Sequence, residues 1–315
     1  MPIAALKKLF GWMKRTSVES RRFGNYHLIK IVHDGEKATV YQARSGDNDA
    51  LYAVKAYKRH YNRIADRMCR RYHIRTEGDI GRSLNPKPEA PAEDHPLPIT
   101  VADGFEFGDK TRSYYLVQEF VAGRNLKNLV AHENTFETDE RFRIAAMVGR
   151  ALEIIHNRGL IHRDVCTDNI ILCDDGRAKL IDLGFVVPRG LKFREQSGTP
   201  SYMSPEQFMI HPLNPPADIY SFGVVLFELF TGELPFTSIF TVNKAETQHR
   251  RMSELMDKHL REAPPRPREI NADLPEGLEE IILKCLEKDP GARFQNMRRL
   301  LQAIAEVRPR GGLRT

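Results

Sequence analysis

The hydrophobic and polar positions of this chain change texture near Phe120. Before it, apolar residues come in short β-rich runs: "YHLIKIV" at 26–32, "ATVYQAR" at 38–44 and "ALYAVKAY" at 50–57. Gly, Asp and Asn turns separate these runs, which predicts an antiparallel meander. "ITVADGFEF" at 99–107 and "SYYLVQEF" at 113–120 add two more strands. Between them, 62–84 reads as a helix in which Gly78 and Gly81 each cost roughly 1 kcal/mol relative to alanine. The five prolines of 85–98 mark a loop, read as a solvated insertion.

After Gly123 the period becomes helical. Phe142, Ala145, Ala146, Gly149, Leu152 and Ile155 form one stripe within 139–156. "DIYSFGVVLFELFTG" at 218–232 is apolar nearly all round, as a helix at the centre of a domain must be. Leu278, Ile281, Ile282, Cys285 and Leu286 mark another helix, and Met297, Leu300, Leu301 and Ile304 a last one. The expected fold class is α+β, in two lobes. A small antiparallel β lobe with one helix covers 23–120, a larger mainly helical lobe covers 121–308, and 309–315 is a tail. A cleft between two such lobes is a natural ligand site.

Residues 1–22 carry six Lys or Arg against the single acid Glu19. Ile3, Leu6, Leu9, Phe10 and Met13 fall at helical spacing, so this leader reads either as a basic amphipathic helix able to touch an anionic membrane surface or as a loosely ordered segment. Its charges interrupt any signal-peptide core. Over 315 residues the net charge is only +6, with acids spread throughout, which points away from a nucleic-acid partner. Four cysteines without CxxC spacing read as reduced thiols and a cytoplasmic location.

Moving a γ-phosphoryl group requires positioning and charge neutralisation more than covalent chemistry. It needs a cover for the phosphates, a cation on them, ligands for a divalent metal and a carboxylate near the incoming hydroxyl. The strings "YAVK" at 52–55, "HRDVCTDN" at 162–169, "DLG" at 182–184 and "GTPSYMSPE" at 198–206 occur in that order, each in a fitting element. Together they resemble the eukaryotic-type protein kinases, serine/threonine branch, from about Phe23 to about Arg308.

The resemblance implies an ATP- and Mg2+-dependent enzyme that phosphorylates hydroxyls of a protein substrate, with itself among the candidates. It makes Lys55 the grip on the α- and β-phosphates and Glu77, the sole glutamate between Lys55 and the proline loop, its partner. Asp164 becomes the carboxylate that orients the acceptor hydroxyl, and Asn169 and Asp182 the oxygen ligands of magnesium. The phosphate cover falls on "HDGEKATV", where His33, Gly35 and Ala38 keep one glycine of three; such a loop is expected to be stiffer. Val32 and Val40, with Ala53 and Ile171, would sandwich the adenine. The backbones of Glu119 and Val121 would meet its edge, beside Gln118. His162 is expected to pack internally.

In the segment from 182 to 206, Thr199 would face Asp164 and Glu206 would pair with Arg293. Asp218 would hold the catalytic loop. Arg163 stands ready either for a phosphate on Ser197 or for an acid such as Glu195. Asp168 is a weak pointer to basic substrate side chains. The departure from the family pattern is Cys166, where a lysine near the γ-phosphate is expected; Arg189, Lys192 and Arg194 are candidate substitutes. A catalytically weak or inactive pseudokinase acting as a nucleotide-binding scaffold is the alternative. Retention of Lys55, Asp164, Asn169 and Asp182 weighs against it. A small-molecule phosphotransferase would have no reason to carry "GTPSYMSPE".

Overall fold

The structure is a computed structural model, and it describes residues 21–58, 61, 69, 71, 75–87, 94–108, 111–132, 136–192, 197–238 and 245–309. The basic leader expected at 1–22 therefore lies outside the described residues except at its end, as do Arg194, Glu195 and most of the 309–315 tail. By its internal contacts the chain divides into two compact units. The first ends at Gly78 and takes in Ile99–Phe120; the second comprises Asp79–Pro98 and the chain from Val121 onward.

The first unit is built on six antiparallel strands. These are β1 (Arg22–Phe23), β2 (Tyr26–Asp34), β3 (Ala38–Ser45), β4 (Leu51–Tyr57), β5 (Thr100–Gly108) and β6 (Thr111–Glu119), in the order β1-β2-β3-β4-β6-β5. Strand residues alternate faces. One face buries Leu28, Ala43, Val54 and Val117, with Phe23, Tyr41, Tyr52 and Tyr115 around them. Directly paired residues share a face, so the register Val40↔Lys55↔Leu116 and Gln42↔Ala53↔Gln118 puts those six on the other side. Val32 is the extra residue of a β-bulge: Ile31 pairs with Tyr41 and His33 with Val40, leaving Val32 unpaired between them and half exposed.

The helix expected over 62–84 is not one element. Helix α1 covers Glu77–Leu84, and Arg75 and Thr76 before it are non-helical. Threonine is a favoured residue type at the position before a helix, where its backbone is extended. The far end of the proline loop is no solvated insertion either. Pro96 accepts a hydrogen bond from Leu180 N–H at 3.0 Å, and Leu97 is buried in the core of the second unit.

In the second unit, β7 (Arg124–Asn125) leads into α2 (Leu126–His132), α3 (Thr138–Asn157) and β8 (Leu160–Ile161). The short strands β9 (Ile170–Leu172), β10 (Ala178–Leu180) and β11 (Val187–Pro188) follow, then α4 (Pro205–Phe208). Helix α5 (Pro215–Thr231) is buried from Pro215 to Phe230 and ends at Gly232, whose φ of 84° suits a glycine C-cap. Helices α6 (Ala245–Arg261), α7 (Pro267–Ile270), α8 (Glu276–Cys285) and α9 (Met297–Val307) complete the unit. Its apolar core joins α5 to Phe142, Leu152 and Ile155 of α3, Ile282 of α8 and Leu300 of α9. Among the described residues no helix is long and apolar enough to cross a membrane.

Candidate active site

In the first unit the pleat decides which side chains are available. Val54 points into the core, so Lys55 points to the opposite face. There its Nζ lies 3.0 and 3.3 Å from the two carboxylate oxygens of Glu77, a largely buried pair. Register puts Val40 directly beside Lys55, His33 beside Val40, and Ala53 beside Gln118. Gln118 is buried and donates to Thr100 Oγ1 at 3.1 Å. The β2–β3 turn is tied rather than loose. Gly35 N–H donates to Ala38 O at 3.0 Å, and Asp34 Oδ1 accepts from Thr39 Oγ1 at 2.7 Å and from Lys58 Nζ at 3.0 Å. Glu119 closes β6 with its N–H on Ile99 O at 2.8 Å.

In the second unit the loop 162–169 is held from below by α5. Asp218, fully buried, accepts His162 N–H at 2.7 Å, Arg163 N–H at 2.8 Å and His156 Nε2 at 2.8 Å. Burial pushes its pKa up, but these hydrogen bonds and the nearby histidines outweigh that, and the carboxyl sits below its ordinary value. They also hold Arg163 at φ 71°, a left-handed conformation that a non-glycine residue keeps only when its surroundings impose it. Burial drives His162 down, so its ring is a neutral packing group whose Nδ1 accepts Asp164 N–H at 3.3 Å.

Asp164 is buried and fully oriented. Its Oδ1 accepts both the N–H and the Oγ1 hydroxyl of Thr199, each at 2.7 Å, and its Oδ2 accepts Asn169 Nδ2 at 3.0 Å. Asn169 Nδ2 also donates to Asp164 O at 2.9 Å. With the amide nitrogen so engaged, the carbonyl oxygen of Asn169 is the atom turned the other way. The ladder β9–β10 continues through Ile181 N–H to Asn169 O at 2.8 Å, which sets Asp182 beside Asn169. Asp182 stands at φ 65°, with Gly184 N–H on its Oδ1 at 3.0 Å. Ile171 lies in β9 of this unit.

Among the described residues no three His, Cys, Asp or Glu side chains converge on a metal-sized point. The donor set is one amide oxygen and one carboxylate, which fits magnesium. That ion keeps several waters and takes one or two carboxylates plus substrate phosphates rather than an all-protein cage.

Cys166 is buried, its Sγ 3.6 Å from Thr199 Oγ1, and burial followed by the Asp164 charge raises its pKa well above the ordinary thiol value. It is a neutral thiol. Of the expected substitute cations, Arg189 is engaged elsewhere, its Nε on Asn214 Oδ1 at 3.1 Å, and Lys192 is exposed. Asp168 is not open to solvent alone: Lys127 Nζ lies 2.6 Å from its Oδ2.

The segment after 197 is anchored at several points. Arg163 Nη2 donates to Ser197 Oγ at 2.7 Å. A Cβ on Gly198, at φ 126°, would fall 2.8 Å from Arg163 O, so only glycine permits that approach. Arg293 places all five N–H donors: on both oxygens of Glu206 at 2.8 and 3.1 Å, on Pro216 O at 2.8 Å, Lys288 O at 3.0 Å and Glu287 O at 2.7 Å.

Sequence reasoning missed some partners. Gln207 completes a capping box with Ser204 and donates to Arg163 O at 2.8 Å. Glu228 of α5 accepts from Tyr202 at 2.5 Å and from Thr167 at 3.0 Å. The capping-box spacing Ser204 to Gln207 was there to be read; the Glu228 cluster joins positions 26 to 61 residues apart and was not.

Comparison with known proteins follows the same line. Residues 26–303 match the family described as protein kinase domain. The chain is 31% identical over 226 residues to a protein of Clostridium acetobutylicum named "Probable serine/threonine-protein kinase", covering 70% of this chain and 33% of that one. It is 28% identical over 282 residues to serine/threonine-protein kinase PrkC of Bacillus subtilis, covering 88% and 40%. With serine/threonine-protein kinase PknA of Mycobacterium tuberculosis it shares 29% over 291 residues, 90% and 62%. The chain thus spans between a third and three fifths of these curated relatives. With nearly its whole folded length matched, and with Lys55 on Glu77 and Asp164 between Asn169 and Thr199, this chain belongs to the protein kinase family.

Proposed function

We propose that this chain is an ATP-dependent serine/threonine protein kinase that transfers the γ-phosphoryl group to a hydroxyl of a protein substrate. One observation carries the reading. The carboxylate of Asp164 is held on both oxygens by Thr199 and Asn169, in the orientation of a group that must aim at an incoming hydroxyl. Its relatives are named serine/threonine kinases, which supports hydroxyl acceptors on proteins.

In this reading Lys55, kept in place by Glu77, binds the α- and β-phosphates as a point charge. Val32, Val40, Ala53 and Ile171 bound the adenine, and the backbones of Glu119 and Val121 meet its polar edge; His33 and Gly35 belong to the loop over the phosphates. Asn169 and Asp182 would hold Mg2+, which when bound neutralises charge on the phosphate oxygens. Asp164 orients the acceptor oxygen and takes its proton, a contribution of about 10²–10⁴-fold in such catalysis. Glu206, Arg293 and Asp218 support the platform and the loop. Arg163 beside Ser197 would bind a phosphate placed on that hydroxyl by two charge-assisted bonds. Four cysteines without CxxC spacing suit a reducing, cytoplasmic setting.

The test is incubation with labelled ATP and magnesium, with Asp182→Ala and Asp164→Asn alongside. Label on protein serine or threonine in the wild type alone supports the proposal. Nucleotide binding without transfer in all three would make the chain a scaffold instead.

A further inference from the structure

The first turn of α1, which carries Glu77, is held by a strand side chain. Gly78 N–H belongs to the opening turn of the helix, where no carbonyl four residues back is available to it. It donates instead to the hydroxyl of Tyr114 at 3.1 Å, and that hydroxyl donates to Asp103 Oδ2 at 2.7 Å. Tyr114 lies on β6 and Asp103 on the neighbouring β5. Thr76, just before the helix, also reaches the phenol. The Tyr114 ring is packed by Phe105 and Tyr57, each with centroids 5.4 Å away, and Lys55 Nζ stands 5.2 Å from the Tyr57 ring. The approach is so close that a Cβ on Gly78 would fall 2.7 Å from the Tyr114 oxygen and onto the Asp103 carboxylate. Gly78, which weakens a helix in isolation, is here the residue that lets the turn sit down. Burial first, and the Asp103 carboxylate second, raise the phenol far above its ordinary pKa, so its O–H remains a donor at any physiological pH.

We propose that Tyr114, oriented by Asp103, is a positioning residue for phosphoryl transfer: its hydroxyl pins the turn bearing Glu77 and so sets the Lys55–Glu77 pair. The catalytic consequence rests on the kinase reading above; the positioning itself does not. A displacement on the order of 1 Å in such machinery can cost about 100-fold, and loss of one hydrogen bond from a turn still packed by two rings should cost less, about tenfold in kcat/KM for ATP.

The experiment uses the full chain and Tyr114→Phe, which keeps the ring and removes the hydroxyl. Amide hydrogen exchange at Gly78 should accelerate at least tenfold, since Tyr114 is its acceptor, while Leu116 and Val117 in β6 keep their protection. Acylation of Lys55 by acetic anhydride should rise severalfold, and should rise no further when Tyr114→Phe is added to Glu77→Gln. Unchanged Gly78 exchange, acceleration spread along β6, or an added rise in the double variant each overturns the proposal. So does an unchanged kcat/KM in an active enzyme. If the wild type transfers no phosphate, the kinase reading falls, and exchange and acylation still decide the role of Tyr114.

Discussion

Replacing Cys166 by lysine is the sharpest test of how this site departs from its family. Cys166 Sγ is 3.6 Å from Thr199 Oγ1, which is itself 2.7 Å from Asp164 Oδ1, so the sulfur lies within about 6 Å of the carboxylate. Two unit charges at ~6 Å and an effective dielectric of 20 attract by roughly 3 kcal/mol. Asp168 adds to the negative field there. The pocket that holds a neutral thiol is therefore electrostatically ready for an ammonium. Packing opposes this: the side chain is 1% exposed, and extra methylenes in a filled site cost about 1–3 kcal/mol of stability. That cost bears on the folded state, whereas only attraction that grows in the transition state raises kcat. A gain of about 1.4–2.8 kcal/mol in the transition state corresponds to a 10- to 100-fold rise. The assay is the initial rate of phosphoryl transfer from ATP to a generic acceptor protein, with Tm measured for each variant. Cys166→Met supplies bulk without charge. A Cys166→Lys variant with near-native Tm and an equal or lower kcat would refute the reasoning, as would the same gain in Cys166→Met.

Three further outcomes are expected. Arg293→Lys keeps the charge but replaces five placed donors with three and breaks the fork on Glu206; an acceptor left unpaired in the core costs about 1–3 kcal/mol, so thermal unfolding should shift down by roughly 2 °C or more, and an unchanged Tm would contradict this. Asp218→Asn offers one acceptor oxygen where His162 and Arg163 N–H need two; the orphaned donor costs about 1–3 kcal/mol, read by urea unfolding at neutral pH. The stability that Asp218 contributes is present above the ordinary carboxylate pKa and is lost as pH falls through its lowered folded value.

His259 is buried among Phe208, Tyr220 and Phe236, and burial takes its pKa down to about 3. The unfolded chain binds that proton below about pH 6.5 and the folded chain does not, so stability falls as pH drops through this range, by about 1.4 kcal/mol between pH 7.5 and 5.5. His162, also held neutral, adds to the fall. Urea unfolding of His259→Phe at both pH values should show a smaller drop than wild type; an equal drop would sink the assignment.

What the sequence determined by itself is the kind and order of the elements, and the face each strand residue takes. Alternation put Val54 and Lys55 on opposite sides, and the apolar run of 218–232 could only be a central helix. The candidate site residues Asp164, Asn169 and Asp182 were picked out by the resemblance of the motifs that carry them, not by any periodicity. Tertiary structure decided the rest. It split the helix expected over 62–84 ahead of Glu77, made Gly78 a packing residue, buried Cys166 as a neutral thiol and took Arg189 away to Asn214. It also joined Glu228 to Thr167 and Tyr202, and Arg293 to Glu206 across 87 residues. Periodicity reports the environment of a residue along its own element. Which distant side chain fills a donor's last valence, or which ring leaves room for only a hydrogen on its neighbour, is set by how packed elements meet, and no local pattern encodes it.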